Sequence, residues 1–322
     1  VLEHIGGYLP FNVNLTDLGV QAGDKCLLAV MVDNSDDKNY PPGKRQYTLD
    51  FTYHGGIYRD VWMISSGDTH FAQWGIGWHA TSITKNQATV AVDVEIEKHT
   101  SDAEKLEVRA TLIDADGKAV ANRRMAVGKA EQGLTKKSLS LKVSKPKRWS
   151  LETPYLYTLK TELYSNGQCV DASETRVGLR TLQFDANKGF ALNGEWMKVK
   201  GVCLHHDAGV LGAVVPRVVW ERRLKNLKAI GVNGIRMSHN PQAPVLYDLC
   251  DELGIMVWQE FPLGCNNYIA TKEYITLLKN EASDIIERVS KHACHVIWCG
   301  GNELFNSWSG MTDQSLALRT LN

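Results

Sequence analysis

Hydrophobic and polar positions follow two different rhythms along this chain, and the change falls near residue 180. Before it, CLLAVMVDN, YTLDFTY, HFAQWGIGWHATSI and ATVAVDVEIEKH alternate between apolar and polar residues or run apolar with β-branched and aromatic side chains. Turns rich in Asp, Asn, Gly and Pro, such as DADGK and SNGQ, separate the segments. A two-residue period broken by such turns is typical of antiparallel β-structure. We therefore predict strands within residues 1–66 and a β-sandwich over residues 67–181.

After residue 182, short apolar strands alternate with segments whose apolar residues recur at helical spacing. The predicted strands are MKVKGVC, VNGIRM, IMVWQEF and HVIWC, and the predicted helices are VVWERRLKNLKAIG, APVLYDLCDELG and YITLLKNEASDIIERVSKH. Gly231 and Gly254 stand where the first two helices should stop. This alternation indicates βαβ units and a parallel sheet. Four units make half of a (β/α)8 TIM barrel over residues 182–322, so we expect the natural chain to continue past Asn322.

Composition narrows the possible partners. The 36 basic residues balance the 36 acidic ones, so no net charge favours nucleic acid or an anionic membrane surface. No apolar run reaches the roughly 18 residues that a membrane span requires. The seven cysteines form no C-x-x-C pair and predict neither a zinc site nor a disulfide framework. No signal peptide is visible, so a cytoplasmic, periplasmic or secreted location stays open, as does a homo-oligomer.

Polar and titratable residues recur where each predicted barrel strand ends. Strand by strand, they are His205, His206 and Asp207; Arg236, His239 and Asn240; Gln259 and Glu260; and Asn302 and Glu303. A helix cap would explain Asn302 and Glu303 taken alone. Recurrence at the same end of four strands favours a catalytic face, because barrel active sites lie there. Adjacent His205 and His206 should project to opposite sides of the chain, which argues against a shared metal ion.

The type of chemistry follows from which motifs occur. The chain contains no G-x-S-x-G elbow, no P-loop and no G-x-G-x-x-G turn behind a strand. A carboxylate surrounded by His, Arg, Asn and Trp fits glycoside hydrolysis, in which two carboxyl groups act across an oxocarbenium-like centre. The residues at the strand ends thus indicate a carbohydrate substrate.

Several longer segments resemble glycoside hydrolase family 2, the β-galactosidase, β-glucuronidase and β-mannosidase group. GGYLPFNVNLTDL and GGIYRDVWMI resemble its N-terminal, jelly-roll-like sugar-binding sandwich, and RWSLETPYLYTLKTELY with VGLRT resembles the end of its immunoglobulin-like domain. GFALNGEWMKVKGVCLHHDAGVLG, RMSHNP and VIWCGGNE resemble its barrel. The resemblance implies a multidomain chain: a partial sugar-binding sandwich (1–66), an immunoglobulin-like β-sandwich (67–181) and the first half of the catalytic barrel (182–322).

The resemblance also implies roles for individual residues. Glu303 matches the family's general acid/base, and Asn302 matches the residue that binds the sugar 2-hydroxyl. Arg236 and His239 match residues that line the pocket. Asp60 matches an aspartate that the first sandwich inserts into the β-galactosidase pocket.

Asp60 and Glu260 are carboxylates whose roles differ from that of Glu303. From the residues alone, Asp60 fits an ion pair with Arg59 or another basic residue at a turn end. Glu260 is expected to support Glu303 or its own strand end. The family's nucleophilic glutamate lies on a later barrel strand, so we expect it beyond Asn322. A retaining mechanism needs both carboxyl groups.

The resemblance implies a retaining exo-glycoside hydrolase that cleaves terminal β-D-galactosides. VWQEF and WCGGNE lean toward β-mannosidases, whereas RMSHNP and HHDAG lean toward galactosidases and glucuronidases, and FPLGCNNY lacks a histidine common in β-galactosidases. β-Mannosidase, β-glucuronidase and a non-catalytic carbohydrate-binding protein therefore stay as alternatives. A divalent cation such as Mg²⁺ assists some β-galactosidases, but the sequence contains no complete ligand set for one.

Overall fold

A computed structural model of the protein describes residues 2–37, 39–40, 52, 54–102, 104–263 and 271–304. The strands are β1 (Thr69–Ile83), β2 (Gln87–Lys98), β3 (Glu104–Ile113), β4 (Ala119–Ala130), β5 (Gly133–Ser144), β6 (Tyr157–Ser165), β7 (Gln168–Val177), β8 (Leu182–Asp185), β9 (Gly189–Leu192), β10 (Glu195–Met197), β11 (Gly201–Leu204), β12 (Gly234–Met237), β13 (Met256–Glu260) and β14 (His295–Cys299). The helices are α1 (Arg217–Ala229), α2 (Pro244–Leu253) and α3 (Lys272–Val289). No helix in the described ranges is long and apolar enough to cross a bilayer.

The first seven strands form the predicted immunoglobulin-like sandwich. One antiparallel sheet has the order β1-β2-β5 and the other β4-β3-β6-β7. Alternate residues of the strands point inward, so Val90 and Val92 of one sheet and Val108 and Leu159 of the other are fully buried in one core. The two-residue period that predicts these strands is the same alternation that fills the core.

Strand β4 was not predicted from the pattern. Its sequence, AVANRRMAVGKA, places Arg123 and Arg124 next to each other and alternates weakly. The strand lies at the edge of its sheet and pairs with β3, and most of its residues are exposed. An edge strand with few inward side chains carries little hydrophobic pattern, and its backbone pairing is then decided by its neighbour.

The barrel half confirms the predicted alternation of strand and helix. Strands β11 to β14 form a parallel sheet in chain order, after a small antiparallel meander of β8, β9 and β10. Gly254 ends α2 with φ +69°, and Gly231 has φ +92° just after α1. Both are left-handed conformations that glycine adopts without a Cβ clash, which is why these helices stop where predicted.

The segment before β1 does not bear out the strand predicted at CLLAVMVDN. Residues 26–34 carry no strand, and Leu27 and Met31 are almost fully exposed. A strand is stable when a neighbour satisfies its backbone groups and covers one face, and the described residues around this segment supply neither. The second predicted strand, YTLDFTY, lies almost wholly outside the described residues. The sandwich over residues 1–66 stays a prediction.

The sandwich and the barrel are joined by buried polar contacts at the amino-terminal end of the barrel strands. Trp149 Nε1 donates to the Asp251 carbonyl oxygen at 2.8 Å, and Arg180 Nη2 donates to the His295 carbonyl oxygen at 2.5 Å. Gly178 lies so close to the barrel that a Cβ placed on it would be 2.3 Å from the Ala293 Cβ. The contact therefore admits no side chain at residue 178.

Replacing Gly178 with alanine should lower the free energy of unfolding by about 1–3 kcal/mol, because the added methyl group overpacks this contact. Gly77→Ala is the matched control, since the nearest atom to a Cβ at residue 77 is 4.0 Å away. Urea denaturation of both variants measures the difference. Equal stability of the two variants would show that the contact tolerates a side chain.

Candidate active site

The carboxyl ends of the barrel strands meet around one buried carboxylate, that of Glu260. Its side chain is fully buried. Arg236 Nε donates to Glu260 Oε1 at 2.5 Å, and His239 Nδ1 lies 2.5 Å from Glu260 Oε2. Arg236 Nη2 also donates to Asn302 Oδ1 at 2.7 Å. Glu260, for which only a supporting role is predicted, thus brings together three of the predicted site residues: Arg236, His239 and Asn302.

Strand geometry explains why these side chains converge. In the parallel register Cys203 lies beside Arg236, and Arg236 lies beside Trp258. Successive residues of a strand face opposite sides. Gln259 accordingly faces α2, where Tyr247 donates its hydroxyl hydrogen to Gln259 Oε1 at 2.5 Å, and Glu260 faces the barrel interior.

The charge on Arg236 is maintained by its partners. Burial disfavours the charged guanidinium, but its hydrogen bonds to Cys203 and Glu260 and the charge of Glu260 hold the pKa of Arg236 above its ordinary value. Arg236 Nη1 lies 3.5 Å from the Cys203 sulfur. Arg236 is therefore held as a charged guanidinium, paired with Glu260, directly beside Asn302.

Glu303 follows Asn302 at the end of β14 and is exposed. Its φ is +50°, a left-handed backbone conformation that is unusual for a non-glycine residue and recurs at functional sites. The turn before it is fixed because Asn302 N–H donates to the Leu263 carbonyl oxygen at 2.8 Å.

The two glycines of this turn are not equivalent. A Cβ at Gly301 would lie 2.6 Å from the Leu263 carbonyl oxygen, whereas a Cβ at Gly300 would meet nothing within 4 Å. Close packing therefore explains why residue 301 is a glycine, but it does not explain the glycine at residue 300.

The two histidines after β11 point to different sides, as expected. The His205 ring packs edge-on against the His239 ring, with centroids 5.3 Å apart. The buried His206 ring stacks on Tyr58 at 6.1 Å. Burial first, and then the charges of Arg59 and His54, lower the pKa of His206 to about 4. His206 is therefore neutral near pH 7 and belongs to the packing between the barrel and the preceding segment.

Asp60 lies on the segment before the sandwich, which contacts His206 after β11 and Pro241 after β12. Its neighbour Arg59 donates from Nη1 to the Tyr8 carbonyl oxygen at 3.0 Å and from Nη2 to the Pro241 carbonyl oxygen at 2.7 Å. The alternative of an Arg59–Asp60 ion pair is therefore not supported within the described ranges. Pro241 is two residues after His239, so Arg59 ties the exposed Asp60 to the loop that follows β12.

The sequence did not predict that Arg59 would hold this segment to the barrel, because nothing in a sequence indicates which distant carbonyl group a guanidinium will contact.

A divalent cation at this face would need a set of oxygen ligands from the strand ends. Mg²⁺ takes oxygen ligands in octahedral geometry. In the part of the chain that the structure describes, no group of three His, Cys, Asp or Glu ligand atoms gathers at these strand ends. Glu260 is already engaged by Arg236 and His239. Asn266 and its neighbours at 264–270 lie outside the described residues, and the divalent cation stays a prediction.

The fold and the site define a class of protein. Its members join an immunoglobulin-like sandwich to a (β/α)8-type barrel and carry titratable groups at the ends of the barrel strands. The family model for "Glycosyl hydrolases family 2" matches residues 69–180, and the model for its TIM barrel domain matches residues 185–317. The chain belongs to glycoside hydrolase family 2.

Relatives and solved structures agree with this membership. The chain is 37% identical to a β-galactosidase of Bacteroides ovatus, over 98% of this chain and 36% of that protein. It is 30% identical to a β-glucuronidase of Bacteroides fragilis, over 92% of this chain and 43% of that protein. A solved β-glucuronidase of Bacteroides uniformis has a TM-score of 0.73 at 29% identity, covering 78% of this chain and 31% of that one. The chain therefore spans less than half the length of each of these three proteins.

Replacing Glu260 with glutamine should lower the free energy of unfolding by about 3–5 kcal/mol, because Arg236 loses its buried counter-charge and His239 loses the carboxylate that it contacts. The matched control is Glu95→Gln, which removes a partly exposed ion pair with Lys136 and should cost less than about 1 kcal/mol. Urea denaturation of both variants at neutral pH measures the two losses. A small loss for both would mean that the carboxylate charge at residue 260 does not hold the site together.

Proposed function

We propose that the protein containing this chain is a retaining exo-glycoside hydrolase that cleaves terminal β-D-galactosides. The observation that carries the proposal is the arrangement of Glu260, Arg236 and Asn302, which fixes the strand end directly before Glu303. Family membership supports the reaction class, and the printed name of the Bacteroides ovatus relative supports the sugar.

Glu303 would act as general acid and then as general base. In the first step its carboxyl group protonates the leaving glycosidic oxygen while a second carboxylate attacks the anomeric carbon and forms a covalent glycosyl-enzyme. In the second step the Glu303 carboxylate takes a proton from water, which displaces the enzyme carboxylate from the sugar. Its exposure at the barrel mouth leaves room for the leaving group and for water.

Glu260 is not the second carboxylate in this proposal. Its oxygens are engaged by Arg236 and His239, and it is fully buried, so it would have to lose both partners to reach a sugar. A residue outside the described ranges would supply the nucleophile, as the family resemblance implies.

The orientation of Asn302 supports its part in substrate binding. Its Oδ1 accepts from Arg236 Nη2, and this contact would orient the amide so that Nδ2 donates to the sugar 2-hydroxyl oxygen. A hydrogen bond to that hydroxyl strengthens as the oxocarbenium-like transition state forms. Arg236 would thus act as a positioning residue through Asn302.

Asp60 would contribute to the choice of sugar. Arg59 ties its segment to Pro241 beside the β12 loop, and the Asp60 carboxylate is exposed there. A carboxylate can accept hydrogen bonds from galactose hydroxyls but repels the carboxylate of a glucuronide. This charge argument favours a galactoside over a glucuronide.

β-Glucuronidase is the second candidate, because relatives at 30–32% identity carry that name. Such an enzyme would need cationic groups facing the sugar carboxylate. Arg236 is the cation nearest Asn302 in the described part of the chain, and Glu260 already neutralises it.

The test of the reaction is hydrolysis of aryl β-galactosides, β-glucuronides, β-mannosides and β-glucosides by the full-length protein and its Glu303→Gln variant. With a poor leaving group, kcat/KM should fall about 10²- to 10⁴-fold in Glu303→Gln, because protonation of the leaving oxygen is lost. With a strongly activated leaving group the loss should be much smaller.

Glu131→Gln, at an exposed turn of the sandwich, is the matched control and should hydrolyse normally. Equal activity of the Glu303 variant and the wild type on poor leaving groups would overturn the acid/base role. Absence of hydrolysis of all four sugars by the wild type would favour the carbohydrate-binding alternative.

The test of the sugar is Asp60→Asn in the same full-length protein. For a β-galactosidase, kcat/KM on the galactoside should drop about 10- to 100-fold, because charge-assisted hydrogen bonds to the sugar become neutral ones. For a β-glucuronidase the same change should leave the glucuronide rate equal or higher, since a repulsive charge is removed. The ratio of the two rates in the variant and the wild type therefore separates the two candidates.

A further inference from the structure

Two histidines and a glutamate gather on the sandwich, away from the barrel strands. His70 in β1 and Glu97 in β2 are directly opposite each other in the antiparallel register, and His99 follows one residue after β2. His70 Nε2 and His99 Nε2 lie 3.5 Å and 3.8 Å from Glu97 Oε2. One nitrogen from each ring and one carboxylate oxygen all lie within 4.8 Å of one another.

The backbone under this cluster is fixed by the sheet. His70 and Glu97 are paired across the β1–β2 ladder, and His99 N–H donates to the Asp68 carbonyl oxygen at 2.9 Å. Gln132 Nε2 donates to the His99 carbonyl oxygen at 2.9 Å. The three side chains therefore start from positions that the strand pairing already determines, so little backbone ordering would be needed to use them together.

The His70 ring is oriented as a metal-binding histidine usually is. Its Nδ1 lies 2.8 Å from the Gly67 carbonyl oxygen, which can only accept, so Nδ1 carries the hydrogen. In the neutral ring this leaves the lone pair on Nε2, the nitrogen that faces Glu97. Metal-binding histidines commonly donate their other ring nitrogen to a backbone carbonyl in this way.

The surrounding charge also suits a cation. Lys98, between Glu97 and His99, projects to the other side of the strand, where its buried ammonium group donates to Thr100 and to Asp102. Its charge is thus directed away from the cluster. The His70 and His99 rings stack with centroids 5.4 Å apart, and the Nε2 atom of each ring lies near the same oxygen, Glu97 Oε2.

We propose that His70, Glu97 and His99 bind a divalent transition-metal ion of the zinc class. Zinc accepts two imidazoles and a carboxylate, with ligands near 2.1 Å, and two tetrahedral ligands at that distance are about 3.4 Å apart. The separations of 3.5 Å and 3.8 Å from Glu97 Oε2 already approach this value. Solvent would complete the coordination, because Glu97 and His99 are partly exposed.

A second group of potential metal ligands in the described ranges, Asp251, His292 and Cys294, is not arranged as an open site. Asp251 accepts from the Cys294 backbone N–H at 2.7 Å and pairs with His292 Nδ1 at 2.7 Å. The Cys294 thiol donates to the Tyr247 carbonyl oxygen at 3.6 Å, and burial holds the pKa of that thiol well above its ordinary range. These groups are satisfied by one another in a buried contact, and a cation would have to displace those bonds.

The experiment is titration of the metal-free protein with Zn²⁺ by isothermal calorimetry, with Co²⁺ absorption as a second readout of histidine coordination. The wild type should bind one ion at this site and unfold at a higher temperature when Zn²⁺ is present. His70→Gln and His99→Gln should each weaken that binding at least about tenfold, as loss of a ligand costs no less than loss of its supporting partner.

His79→Gln is the matched control. His79 lies on the same strand as His70 and pairs with Asp93 at 3.4 Å, but within the described residues no third ligand group joins them, so its replacement should leave Zn²⁺ binding unchanged. The Asp251, His292 and Cys294 group is intact in every variant and contributes equally to all titrations. The proposal is overturned if wild-type protein binds no Zn²⁺, if both His70→Gln and His99→Gln bind it as tightly as wild type, or if all three variants lose it alike.

Discussion

The carboxyl ends of these barrel strands depend on one buried carboxylate, that of Glu260, and on the two side chains that contact it. Taking Glu260 out of water costs several kcal/mol, and only a well-placed opposite charge and hydrogen bonds offset that cost. Arg236 supplies the charge, His239 contacts the second carboxylate oxygen, and Arg236 then extends to Asn302. The ends of β12, β13 and β14 are thereby held in one arrangement, so that Glu303 emerges from a fixed turn. Pre-organisation of this kind is what the acid/base role proposed for Glu303 requires.

The two ends of the parallel sheet serve different purposes. At the amino-terminal end, Trp149 and Arg180 of the sandwich side donate to barrel carbonyl groups, and Gly178 permits close approach. At the carboxyl-terminal end, Arg59 ties the preceding segment to Pro241 and leaves Asp60 exposed. Stability is thus built at one end and the proposed chemistry at the other, the usual division in (β/α)8 barrels.

Histidine and glutamate occur together at both the barrel mouth and the sandwich surface. The two sites differ in how deeply the glutamate is buried, and this difference decides what each site can do. Glu260 is fully buried, and its contact with His239 is direct at 2.5 Å. Glu97 is partly exposed, and its distances to His70 and His99 are 3.5 Å and 3.8 Å. The first pairing is closed and positions neighbouring residues. The second leaves space between its ligand atoms that a cation can fill.

Sequence by itself determined the elements and the polar strand ends. The two-residue and helical periods predicted β1, β2, β3, β5, β6 and β11 to β14 but not β4 or β7 to β10. Gly231 and Gly254 marked the ends of α1 and α2, because local pattern reflects which face is buried. Tertiary structure alone decided that Glu260 is the centre of the site, that Arg59 reaches Pro241 and that residues 26–34 form no strand. Each of these depends on which distant group meets a side chain or a backbone, and periodicity carries no information about such partners.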